Sequence, residues 1–205
     1  YIVGAGDKVP QALEAMGYDV KYLSEADITD DNLKQFDAII TGIRAYNISE
    51  YLSNKNDVLM RYVAQGGNMI VQYLKSNSVG QKKVQVGPYP FTVDPSTRVT
   101  EEDAVVNFLL PEHPALNTPN KITADDFKDW IQERSTYQAV QADAHYEMLL
   151  GMNDKGEKLS NGSLAIAPYG KGNFVYASLV FFRQLPAGVP GAFRLMANLI
   201  GLEGR

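Results

Sequence analysis

The chain has 205 residues, 45% of them hydrophobic and 21% charged, which suits a globular domain with a core of its own. A net charge of -5, a pI of about 5.1 and scattered basic residues exclude a general nucleic-acid binder, because phosphate-tracking surfaces need clustered Lys and Arg. No apolar run approaches the roughly 20 residues that cross a bilayer, so membrane insertion is not expected, and the lack of cysteine excludes disulfides and thiolate metal sites while leaving the compartment open.

Tyr1-Ile2-Val3-Gly4 reads as a strand already in progress, so residues 1–205 are expected to be one domain cut from a longer parent. Val9, Ala12, Leu13 and Met16 then fall at helical spacing before Gly17. Asp19–Leu23 reads as a second strand, Thr29-Asp30-Asp31-Asn32-Leu33 as a capped helical turn, and Asp37-Ala38-Ile39-Ile40-Thr41 as a third strand. Gly42–Asn47 is expected to be a loop. A helix over about Asn54–Gln65 ends at Gly66-Gly67 and delivers the buried strand Asn68-Met69-Ile70-Val71-Gln72-Tyr73.

After Tyr73 the pattern changes to polar loop and short strand-like pieces, at Val84–Val86, Phe91–Val93 and Val105–Leu109, expected to form an inserted antiparallel β extension. Thr123 caps a short helix through Ala124–Trp130, and strand character returns at Tyr146–Met152, Ser163–Tyr169 and Asn173–Leu179. A helix over about Gly191–Ile200 closes the chain. Strands alternating with helices predict an α/β, flavodoxin-like three-layer sandwich around a mainly parallel central sheet.

In such sheets ligands and catalytic groups gather at the carboxyl ends of the strands. There this chain offers Gln72 and Tyr73, an amide and a phenol. Arg44 and Arg183 each follow a predicted strand, and with Arg134 they supply planar donor forks suited to carboxylate, phosphate or sugar hydroxyls, or to structural salt bridges. Tyr46, Tyr73, Tyr89 and Tyr137, with Trp130, suit sugar rings, protein partners or the core. Asn47, Asn77 and His113 complete the candidate ligand-binding set.

Other constellations fall short of a site. Gly4-Ala5-Gly6 lacks the third glycine of a dinucleotide loop, with Val9 in its place, and reads as a tight turn. His113 and His145 have no partners at metal-ligand spacing, so no metal and no cofactor is called for. Ser76 or Ser178 with His113 would need a Gly-x-Ser-x-Gly elbow that neither serine has, and no catalytic residue is assigned. Glu101-Glu102-Asp103 and Asp125-Asp126 read as solvated charges.

The order of elements, with Asp37–Gly42, Gly66–Tyr73, His113-Pro114 and Tyr169–Tyr176, resembles the class I glutamine amidotransferase-like superfamily, and in layout its ThuA-like branch. Gly4-Ala5-Gly6-Asp7-Lys8-Val9-Pro10, Gly42-Ile43-Arg44-Ala45-Tyr46-Asn47, Gly87-Pro88-Tyr89-Pro90-Phe91, Trp130-Ile131-Gln132-Glu133-Arg134 and Phe181-Phe182-Arg183-Gln184-Leu185-Pro186-Ala187-Gly188 resemble the C-terminal domain of large LmbE-like (PIG-L) deacetylases. The resemblance implies a covalently linked zinc deacetylase of N-acetylated sugars that carries the metal itself, a carbohydrate ligand here, and a periplasmic or secreted setting. It also implies that glutamine hydrolysis is lost, because the superfamily's nucleophilic cysteine follows the strand that here ends in Gln72-Tyr73. The leading expectation is a non-catalytic domain that binds carbohydrate or assists the deacetylase. The alternatives are a purely structural module and, more weakly, a hydrolase using His113 or a carboxylate as base.

Overall fold

The computed structural model describes residues 1–204. In chain order its elements are α1 (Val9–Ala15), α2 (Asp30–Leu33), β1 (Ala38–Thr41), α3 (Ala45–Ile48), α4 (Tyr51–Asn54), α5 (Asn56–Ala64), β2 (Asn68–Gln72), β3 (Ser78–Val79), β4 (Lys82–Lys83), β5 (Thr92–Val99), β6 (Asn107–Phe108), β7 (Ser135–Val140), β8 (Glu147–Met148), β9 (Leu150–Gly151), β10 (Leu164–Tyr169), β11 (Gly172–Ala177), α6 (Phe181–Gln184) and α7 (Pro190–Ile200).

The central sheet has the strand order β1-β2-β11-β10-β8. β1, β2 and β11 run parallel, and β10 and β8 are added antiparallel. Because side chains alternate along a strand, Ile40, Ile70, Ile166 and Val175 face one layer with α1 and α7. Ile39, Met69, Val71, Phe174 and Tyr176 face the other, with Leu59 and Val63 of α5. All five residues of β2 are buried, as a strand covered on both faces requires.

Local chemistry explains how β2 is launched. Gly66 takes φ +121°, a conformation that L side chains rarely adopt, and a Cβ on Gly67 would stand 2.1 Å from the ring of Tyr62. The glycine pair therefore lets α5 turn back tightly onto its own strand. Thr29 caps α2 as its sequence suggests, its Oγ1 accepting from Asn32 N–H at 3.3 Å.

Several local expectations are corrected. Tyr1–Gly4 makes only one parallel bridge, Ile2 to Thr41, and Asp19–Leu23 runs beside it without forming a strand, held by Leu23 N–H to Tyr1 O at 2.9 Å. The expected helix over Asn54–Gln65 starts earlier and is broken at Lys55, where Asn54 ends α4 and Asn56 begins α5. Gly42–Asn47 is only partly a loop, since Ala45 begins a helical turn. Val84–Val86 is buried at both ends but is not a strand, and the helix after Thr123 stops at Phe127 as a 3-10 turn. The β extension is dominated by a ribbon of β5 and β7, and β7 had no sequence expectation of its own. Polar Ser135, Thr136 and Gln138 hide it, because they are buried by hydrogen bonding rather than by apolar character.

Candidate functional site

Three parallel strands end on one rim. Arg44 follows β1, Tyr73 follows β2, and Phe182 and Arg183 lie in the turn of helix after β11. Arg44 N–H donates to Tyr73 O at 2.9 Å, which ties the first two loops together. The start of β7 is carried to the same rim, because Thr136 N–H donates to Ser178 O at 2.9 Å and Ser135 bridges to Leu179. The ribbon thereby adds Arg98 and Tyr137, and the segment leading into β7 adds Glu133.

Tyr73 is the centre of this group. Its ring stacks on Phe182 at 5.5 Å and meets Tyr137 edge-on at 5.7 Å. The Arg183 guanidinium lies 5.1 Å from the Phe182 ring, and that of Arg98 lies 5.8 Å from the Tyr137 ring. Burial pushes the Tyr73 phenol upward, only partly opposed by the charge of Arg44, so it is a protonated donor at neutral pH.

Glu133 organises the arginines. Its carboxylate is 3% exposed and accepts from Arg98 Nη2 at 2.8 Å through one oxygen, while Arg183 Nη2 lies 3.0 Å from the other. The Glu133 hydrogen bond holds the Arg98 guanidinium above its ordinary value. Arg183 Nη1 also donates to Gln132 Oε1, and Gln132 N–H donates to the Glu102 carboxylate behind it. Gln184, fully buried, fastens this segment by accepting from Ile131 N–H at 2.9 Å and donating to Ile131 O at 2.8 Å.

Two further features mark the rim. Arg44, Gln132 and Tyr137 take φ of 58°, 68° and 58°, a left-handed conformation that costs a non-glycine residue on the order of 1 kcal/mol or more. The Nε atoms of Arg44 and Arg183 are buried without a hydrogen-bond partner. Strained backbone and unsatisfied donors together are more common at functional sites than in ordinary cores.

The sequence candidates divide. Arg44, Tyr73 and Arg183 come together at the rim. Asn47 and Asn77 serve the adjacent loop: Asn47 Nδ2 donates to Ser76 O at 2.9 Å and Ser78 O at 2.8 Å, and Asn77 Oδ1 accepts from Val93 N–H at 2.7 Å. Gln72 is 1% exposed and turned inward, its Nε2 donating to Tyr1 Oη at 3.0 Å and Thr41 O at 3.2 Å. Alternation along β2 puts it on the same face as Ile70, and a strand covered on both faces leaves it buried there. Tyr46 is fully buried under the same loop, and burial pushes its phenol far up.

The remaining candidates are core groups. Trp130 is 2% exposed and its Nε1 donates to Asp126 O at 2.9 Å. Arg134, held below its ordinary value by burial, donates from Nε to Ala104 O at 3.1 Å and from Nη1 to Phe127 O. His113 caps its own turn by accepting from Ala115 N–H at 3.0 Å and lies 3.1 Å from Glu147, while Ser178 Oγ donates to Ser163 O. Arg98, Glu133 and Phe182 were not singled out from sequence. Glu133 and Phe182 stand inside strings already noted, beside Arg134 and Arg183, but Arg98 reaches the rim only through the register that sets it opposite Thr136.

No family model and no curated protein sequence matches the chain. Solved structures do. A cytoplasmic protein from Salmonella typhimurium aligns with TM-score 0.60 and 16% identity, over 95% of this chain and 85% of that one. A thua-like protein described as putative, from Bacteroides uniformis, aligns with TM-score 0.60 and 13% identity, over 97% of this chain and 87% of that one. A cold-adapted β-galactosidase from Rahnella aligns with TM-score 0.57 and 15% identity, over 95% of this chain but only 26% of the enzyme. The deacetylase part of the sequence resemblance rests on the strings alone. At these identities the likeness speaks for the fold, and the fold of this chain is that of ThuA-like proteins, an α/β layer structure on a mainly parallel sheet.

Proposed function

We propose that this is a non-catalytic amidotransferase-like domain that binds carbohydrate at the rim around Tyr73. The observation that carries the reading is the half-exposed Tyr73–Phe182–Tyr137 aromatic group edged by Arg44, Arg98 and Arg183, at the strand ends, the region where ligands of open α/β sheets gather. Aromatic faces stack on sugar rings, and guanidinium forks donate to hydroxyls and carboxylates. Likeness to part of a β-galactosidase supports a carbohydrate setting by analogy of fold. The strings shared with LmbE-like proteins support a parent chain bearing a deacetylase of N-acetylated sugars.

Glycan-array binding of the chain, followed by titration of any hit, tests this. Tyr73→Ala and Arg44→Ala are each expected to weaken binding by about tenfold, the effect of losing one stacking or charge-assisted contact. Binding that neither change alters would remove the site assignment.

A second reading makes the domain an interaction module on its parent. Leu109 and Leu159, 39% and 52% exposed, converge over Gly151, and Val105 nearby in sequence is 73% exposed. Deleting the domain and finding the parent enzyme aggregated, with no glycan bound by the isolated domain, would favour this view.

A further inference from the structure

The rim is positively charged in a chain whose net charge is -5. Three guanidinium groups, those of Arg44, Arg98 and Arg183, surround Tyr73 and Tyr137, and one buried carboxylate, Glu133, stands among them, so three positive charges less one negative leave two uncompensated. Both Glu133 oxygens are already engaged, one by Arg98 and one by Arg183. Arg44 makes no salt bridge with any described residue, and its Nε is out of water without a partner. Glu102, behind the rim, is bound to the Gln132 backbone N–H.

A neutral sugar would satisfy hydroxyl contacts here and leave that charge unanswered. An anion on the sugar would answer it. Guanidinium forks match a carboxylate edge to edge, and the Tyr73 phenol, close enough to feel the charges of both Arg44 and Arg183, adds a donor.

We infer that the ligand is an acidic saccharide, of the uronic or sialic acid class, whose carboxylate is held by Arg44 and Arg183 while its ring lies against the aromatic group of Tyr73. This rests on the carbohydrate reading above and adds the charge of the ligand to it. Arg44 is the anion-selecting residue, because it alone of the three arginines has no carboxylate partner among the described residues.

The test is an array of uronic- and sialic-acid glycans, each beside its carboxyl methyl ester and beside a 6-phosphorylated sugar, with hits titrated by NMR. The free acid is expected to bind about tenfold more tightly than its ester, the worth of one charge-assisted contact, and the preference is expected to fade as salt is raised. Arg44→Gln should abolish the preference, bringing the acid down to the affinity of the ester measured with the same variant, and Arg44→Lys should restore only part of it. Circular dichroism and a melting curve check that both variants are folded. Equal binding of acid and ester would overturn the inference and leave the carbohydrate reading standing. Binding of the phosphorylated sugar as tightly as the acid would overturn the carboxylate assignment. No glycan bound by the folded chain would overturn both.

Discussion

Glu133 shows how little a residue's neighbours in sequence say about its part. It sits in a string with Trp130 and Arg134, yet those two are packed into the core while Glu133 faces Arg98 and Arg183 from positions far along the chain. A buried carboxylate shared by two partly exposed arginines is worth more than a surface pair, and less than a fully buried one because solvent screens its partners. Glu133→Gln is therefore predicted to lower unfolding free energy by about 1–3 kcal/mol, read from urea denaturation. An unchanged midpoint would mean that Glu133 does not hold the arginines in place. Arg134 has a different part from the one its donor fork suggests. Its bonds to Ala104 O and Phe127 O, with Gln184 on Ile131, position the segment from which Glu133 projects.

At the scale of elements, the join between α5 and β2 is set by steric room. Gly67 packs against the Tyr62 ring so closely that any side chain must displace it, and Tyr62 Oη donates to Phe36 O at 3.0 Å, which resists that displacement. Gly67→Ala is predicted to destabilise the fold by about 1–3 kcal/mol in thermal or urea unfolding, as overpacking does. A cost near zero would show that Tyr62 moves freely. This join was legible in sequence, because a glycine pair after a helical run has few other uses. The ribbon of β5 and β7 was not, since its pairing is broken by a bulge between Asp94 and Arg98 and its buried polar residues look like loop.

For the whole molecule, stability should differ between the central sheet and the ribbon that completes the rim. β2 and β11 are buried along their whole length, whereas β5, outside the main sheet, is buried only at Val93 and Val99. Hydrogen exchange is predicted to be faster in β5 than in β2, with opening of the ribbon at lower free energy than global unfolding. Equal protection in both would mean that rim and sheet open as one unit. The layered α/β fold, the buried strand, the terminal helix and the missing thiol follow from the sequence alone, because periodicity and composition are local properties that survive without knowledge of partners. Membership of the rim was decided by tertiary structure. Arg44, Tyr73 and Arg183 could be proposed from their places after strands, but burial turned Gln72 and Tyr46 inward, strand register brought Arg98 across the chain to the rim, and the segment leading into β7 brought Glu133. Which way a side chain points and what it meets depend on packing between distant segments, and no local pattern carries that information.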